Sequence, residues 1–235
     1  MALELEFGWG EAGRSHLQQE ADVVVVVDVL SFCTCVEVAV ARGASVIPWA
    51  ASRRFAAEWA SRHGALPAAA QRSRHQPSLS PLSLTELPAQ SKLVLPSPNG
   101  AELAHRAASG AATVLAGCIR NAAAVADAAA ATASDRVLVL AAGERWPDGS
   151  LRPALEDLVG AGAVLARLPG ARSPDAAGAI AAYSDPQVRD ALARCHSARE
   201  LVDRGFRDDV RFALRPDAST AVPAIRHPAR HFAAL

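Results

Sequence analysis

The chain has 235 residues, 51% of them hydrophobic and 20% charged, a composition that folds rather than staying disordered. Its 24 Lys+Arg balance 24 Asp+Glu, giving a formal net charge of zero. That balance excludes the broad basic surface that extended nucleic acid demands, but leaves room for a local cationic pocket around a small anion. At roughly 150 residues per domain, the length fits one large domain or two small ones. Lys92 is the sole lysine, and alanine fills roughly a quarter of the chain, biases that fit a high-GC codon supply.

The N-terminal ten residues lack the basic-then-apolar pattern of a signal peptide. No apolar run approaches the ~18–20 residues of a membrane span. Four cysteines, Cys33, Cys35, Cys118 and Cys195, form no CxxC and suit a reducing compartment. The expectation is a cytoplasmic protein without membrane or nucleic-acid partners.

The first clear element is Val23–Val27, five valines in a row. A continuous β-branched run is what a central parallel strand needs, because helices cover both of its faces. Asp28 ends it, a helix is predicted over 33–42, and Gly43 suits its left-handed cap. A strand over 45–48 and a helix over 53–63 complete one strand–helix–strand–helix pass. The segment from about 71 to 90 is rich in Ser, Pro and Arg and reads as a long loop. Alternation then resumes: strand 92–95, helix 100–108, strand 113–116, helix 121–133, strand 136–141 and helix 151–167. The part from about 173 to 215 reads as short helices punctuated by Pro174, Pro186 and Gly205, and a last strand is predicted over 219–222. The pattern predicts an α/β fold, three-layer α/β/α with a mainly parallel central sheet.

In such folds ligands bind beyond the carboxyl ends of the strands. Four strand ends are followed by small, polar or charged residues: Asp28 to Ser31, Pro96 to Gly100, Gly117 to Asn121, and Ala142 to Arg145. Asn99-Gly100 and Arg120-Asn121 open helices, whose N-termini favour anions. Asp28 is placed either to cap the next helix or to hold Mg²⁺, which takes one or two protein carboxylates. Glu156 and Asp157 form a second acidic pair, suited to the same task or to the positive end of the helix dipole. Cys118 stands at a strand end without a histidine partner, which favours a small packed residue over a nucleophile. His227 and His231 have i,i+4 spacing, but Pro228 between them spoils a metal-binding helix. Walker A and G-x-G-x-x-G patterns are absent.

Five segments in order carry a resemblance: VVVVVDVLSFCTCVEVAVARGASVIP, LVLPSPNGAELA, VLAGCIRNAAAVADAA, VLVLAAGERWPDGSLRPALEDLVGAGAVLARL and SARELVDRGFRDDVRFALRPDASTAVPAI. Together they resemble the 2-phosphosulfolactate phosphatases, magnesium-dependent hydrolases. The matching residues are Asp28-Val29-Leu30, Asn99-Gly100, Leu155-Glu156-Asp157, Ala161-Gly162, Arg199-Glu200-Leu201 preceded by Ala198 where the family has Gly, and Gly205-Phe206 with Asp209-Val210. The chain departs from the family at Ser31, where many members carry Arg. It also departs over 70–81, which lacks a glutamate and an asparagine that members often carry there.

The resemblance implies a phosphoric monoester hydrolase with Mg²⁺ as cofactor and a small anionic organophosphate as substrate. Asp28, Glu156 and Asp157 would be catalytic and hold the metal. Ser31, Asn99, Gly100, Cys118, Arg120, Asn121, Arg145 and Arg199 would bind the substrate, the arginines because their planar forks suit oxyanions. Because the motifs run in family order through most of the chain, residues 1–235 are expected to form a single α/β domain. Three matters stay open at this stage: a phosphatase for another small organophosphate, a catalytically degenerate anion-binding protein of the same fold, and a homodimer.

Overall fold

The computed structural model describes residues 2–50, 53–110, 112–226 and 230–235. His227, and with it the His227/His231 pair, lies outside the described residues. The chain opens with β1 (Glu4–Trp9) and α1 (Gly10–Leu17), then β2 (Val23–Val27), α2 (Phe32–Ala41), β3 (Ser45–Trp49), α3 (Arg53–Arg62) and β4 (Leu66–Pro67). After a long loop come β5 (Lys92–Pro96), α4 (Gly100–Ala107), β6 (Thr113–Gly117), α5 (Ala122–Thr132) and β7 (Arg136–Ala141). A short hairpin of β8 (Glu144–Arg145) and β9 (Leu151–Arg152) precedes α6 (Leu155–Leu165) and β10 (Ala171–Arg172). Four helices follow, α7 (Pro174–Ser184), α8 (Pro186–Ala191), α9 (His196–Asp203) and α10 (Arg207–Ala213). The last strands are β11 (Pro223–Ile225) and β12 (Ala233–Ala234).

The main sheet has seven strands in the order β10-β1-β7-β2-β6-β11-β12. The first five are parallel, and β11 and β12 close the edge antiparallel. The architecture is three-layer α/β/α, as the alternation predicts. Strand β2 shows why. All five valines are fully buried, and successive side chains leave a strand on opposite faces. Val23, Val25 and Val27 enter the core shared with α5, α6 and α7, while Val24 and Val26 enter the core shared with α2 and α4. Each valine so buried contributes about 1.5–3 kcal/mol. Small residues draw neighbouring helices together: a Cβ on Gly162 would collide with the Ala179 carbonyl, so α6 and α7 pack at nearly backbone distance.

The structure adds or moves several elements. Strand β1 and helix α1 precede the first predicted strand. Strand β5 leaves the main sheet and joins a second, three-stranded parallel sheet, β3-β5-β4. Helices α2 and α4 connect the two sheets, since their core takes Val24 and Val26 from β2 and Leu93 and Leu95 from β5. The helix predicted from 151 begins at Leu155. Pro153 disfavours helical backbone at Arg152, and residues 151–152 instead pair antiparallel with 144–145. The last predicted strand falls at Pro223–Ile225. Residues 219–221 are tied to the loop after β6, through Ser219 N–H to the Arg120 carbonyl and Asn121 Nδ2 to the Ala221 carbonyl.

The Ser/Pro-rich loop is anchored rather than free. Ser78 and Ser80 are fully buried, and Leu84 and Leu87 sink into the core beside α2. Among the described residues no helix is long and apolar enough to cross a membrane.

Candidate active site

The loops after β2, β5 and β7 converge on Asp28. Its Oδ1 accepts the Phe32 N–H at 2.9 Å, which caps α2, and its Oδ2 accepts the Gly100 N–H at 3.0 Å. A Cβ on Gly100 would lie 2.5 Å from that Oδ2, so only glycine lets the α4 N-terminus come this close. One carboxylate therefore joins the ends of strands from two different sheets. Burial pushes the Asp28 carboxyl up to about 6; Glu156 adds to the rise, while the two N–H donors and Arg72 oppose it.

Glu144 approaches from β8. Its Oε2 accepts the Asn99 side-chain N–H at 2.7 Å. Burial pushes it up to about 7, the negative charges of Asp28 and Glu156 add to the rise, and Asn99 and Arg152 counter it. Asp157 is a clamp: Oδ1 takes the Val29 N–H at 2.8 Å and Oδ2 takes the Gly143 N–H at 2.9 Å. It fixes the ends of β2 and β7 to α6, and burial, then Asp28 and Glu156, raise its pKa well above the carboxylate range. Glu156 is buried beside it and accepts the Cys195 thiol at 3.1 Å. Burial and the charge of Glu156 push that thiol up to about 12, so it stays a donor.

A cleft of about 520 Å³ opens over these groups. One set of lining residues comes from the strand ends: Asp28, Ser31, Ser97, Asn99 and Glu144. A second set comes from the long loop, from α9 and from the residue that ends it, including Arg72, Ser197 and Arg204. Arg152, nearly buried, points Nη2 at Ser197 Oγ (3.3 Å) and Glu200 (3.5 Å), tying the β8–β9 hairpin to α9.

The sequence model described as 2-phosphosulpholactate phosphatase matches residues 12–228. The chain belongs to this family. A 2-phosphosulfolactate phosphatase from Methanothermobacter thermautotrophicus is 36% identical over 135 residues, a stretch covering 57% of this chain and 56% of that relative. The aligned part thus spans little more than half of the relative's length.

Against this family frame, the predicted residues divide into two groups. Asp28, Ser31 and Asn99 line the cleft, Gly100 supports Asp28 from below, and Glu156 and Asp157 lie buried among the same carboxylates. The loop after β6 goes elsewhere. Cys118 is fully buried, its Sγ 3.3 Å from Asn121 Oδ1, and burial pushes its thiol up to about 12. Asn121 spends its side chain on the Cys118 N–H and on the Ala116 and Ala221 carbonyls. Arg120 pairs with Glu37 at 2.7 Å. None of the three lines the cleft, because each finds its partners within the fold. Arg145 is exposed, pairs with Glu102 at 3.2 Å and borders a smaller neighbouring cavity. Arg199 is exposed on α9 and does not line the cleft.

Sequence reasoning missed Glu144, Arg72 and Arg152. Glu144 stands in a predicted strand-end loop, and applying the strand-end rule to every polar residue there finds it. Arg72 carries no local signal, since its partners lie far along the chain.

Among the described residues no group of three Asp, Glu, His or Cys side chains is assembled to hold a metal ion alone. Mg²⁺ asks for less: one or two carboxylates, with waters and substrate oxygens completing the octahedron. Asp28 and Glu144 line one cleft, both raised by burial and by neighbouring negative charge. Such a pair fits a hard divalent cation, which relieves that repulsion. Asp157 fits less well: like Asp28 it holds a backbone N–H on each oxygen, but unlike Asp28 it does not line the cleft.

Proposed function

We propose that the chain is a Mg²⁺-dependent phosphatase hydrolysing a small acidic phosphate monoester, of the 2-phosphosulfolactate kind, to the hydroxy acid and inorganic phosphate. The observation that carries this reading is the convergence of Asp28 and Glu144, from separate strand ends, in a cleft that also exposes Arg72, within a chain of this family. Asp28 and Glu144 would hold the metal, with Glu156 adding negative charge close by. When bound, Mg²⁺ supplies positive charge to the phosphoryl and leaving oxygens. Asn99 orients Glu144 through its 2.7 Å hydrogen bond, and Asp157 keeps the two strand ends in register. The Ser31 and Ser97 side chains lie in the cleft to meet substrate oxygens. Arg72 supplies fixed positive charge for a polyanion.

Phosphate release from 2-phosphosulfolactate and from a panel of related three-carbon and two-carbon phosphate esters, with Mg²⁺ and with chelator, tests this. Magnesium-dependent release from at least one acidic ester is expected. Stabilisation by acidic metabolites without any release would leave an anion-binding protein in its place.

A further inference from the structure

Phe206 and Asp209, in the segment from Gly205 to Val210, take no part in the carboxylate cluster. Both touch Arg72. Asp209 is fully buried at the start of α10, and its Oδ2 accepts Arg72 Nη1 at 2.9 Å. Its Oδ1 accepts Ser80 Oγ at 2.8 Å, so both of its oxygens are satisfied. The Arg72 guanidinium lies 5.5 Å from the centre of the Phe206 ring, and Arg74 reaches the same ring at 5.8 Å. The other terminal nitrogen, Nη2, donates to Ser31 Oγ at 2.9 Å, where the two sets of cleft residues meet.

A guanidinium has five N–H donors, and these bonds leave part of the fork for a ligand. Burying an ion pair this deeply gains little stability over an apolar pair of the same size. What it does gain is position. The Arg72 side chain is only 8% exposed, yet it lines the cleft. The strand-end set carries the carboxylates suited to a metal and hence to the phosphoryl group. Arg72 belongs to the other set, together with Arg204.

We infer that Arg72 binds the non-reacting anionic group of the substrate, and that Phe206 and Asp209 are positioning residues that hold its guanidinium for that purpose. The inference deepens the phosphatase reading and rests on it for the identity of the reacting end. Arg72 thereby sets specificity: esters with a second anionic group, carboxylate or sulfonate, are bound better than esters without one.

The test uses equilibrium binding to the full chain by calorimetry. The probes are sulfolactate, which has carboxylate and sulfonate but no phosphate, and inorganic phosphate. Arg72→Ala is expected to weaken sulfolactate at least about tenfold, equivalent to about 1.4 kcal/mol, and to change phosphate less than about threefold. Asp209→Asn should move affinity in the same selective direction. Arg72→Lys, which keeps the charge but loses the planar fork, should recover part of the loss and also serves if the alanine variant does not fold. Equal weakening of both probes, no weakening, or a wild-type chain that does not bind sulfolactate would overturn the inference. Turnover is not needed, so the two readings fail separately: a chain that hydrolyses no ester but binds sulfolactate through Arg72 refutes only the phosphatase.

Discussion

Arg120 and Arg72 are built almost alike. Each pairs with a nearly or fully buried carboxylate, Glu37 at 2.7 Å and Asp209 at 2.9 Å. Each lies against a phenylalanine, with Arg120 3.8 Å from the Phe212 ring centre and Arg72 5.5 Å from that of Phe206. They differ in where the remaining donors go. Arg120 directs Nη1 to the Phe212 carbonyl, inside the fold. Arg72 directs Nη2 to Ser31 at the cleft. Burial, pairing and ring contact therefore do not separate a structural arginine from a ligand-binding one. The last donor does.

Substitutions can break or sharpen this contrast, and the largest effect belongs to the site itself. Asp28→Asn should lower kcat/KM for the hydrolysed ester on the order of 10²–10³-fold, by weakening the charge that holds the metal. Steady-state phosphate release measures it, and unchanged turnover would remove Asp28 from the chemistry. Next comes Arg120→Ala, which leaves Glu37 buried and unpaired. It should cost about 3–5 kcal/mol in a denaturant melt while the folded protein keeps kcat/KM within about twofold. A selective loss of substrate affinity instead would place Arg120 with Arg72. The smallest effect is expected for Arg145→Ala, whose pair with Glu102 is half exposed: no more than about 1 kcal/mol in the same melt, with kcat/KM within about twofold.

The same pair of arginines shows what the sequence makes legible. Arg120 draws attention because it follows an apolar strand and opens a helix, features written within a few residues. Arg72 sits in a Ser/Pro-rich loop, and its value comes from Asp209, 137 positions away. Local pattern reveals β2, β6 and β7, because a strand covered on both faces must be continuously apolar. It is weaker for β1, where Glu4 and Glu6 alternate with Leu5 and Phe7, and it does not say which sheet a strand joins. Strand β5 illustrates this: it lies in the second sheet, yet its end still reaches Asp28 through Gly100. Asp28, Asn99 and Gly100 were readable because the strand-end rule depends only on where a strand stops. The separate tasks of Asp157 as clamp and Glu144 as cleft carboxylate depend on which donors the fold brings to their oxygens, two backbone N–H groups for Asp157 and the Asn99 side chain for Glu144, and no spacing encodes that.

The buried, mutually repelling carboxylates at the strand ends are proposed to form a divalent-cation site. Asp28, raised to about 6, and Glu144, raised to about 7, hold protons that ordinary carboxylates have already released. Between about pH 4 and 7 the folded protein therefore binds more protons than the unfolded chain, and metal-free stability falls as pH rises through that range. A cation that replaces those protons must bind more tightly above pH 7 than below pH 6, and must release protons when it binds near pH 6. The most direct measurement is calorimetric titration of the wild-type chain and Glu144→Gln with MgCl₂ at pH 5 and pH 8, in buffers of differing ionisation heat. One site is expected in the wild type, at least about tenfold tighter at pH 8 with protons released near pH 6, and weakened in Glu144→Gln. Binding that is absent, independent of pH, or unchanged in Glu144→Gln would contradict it.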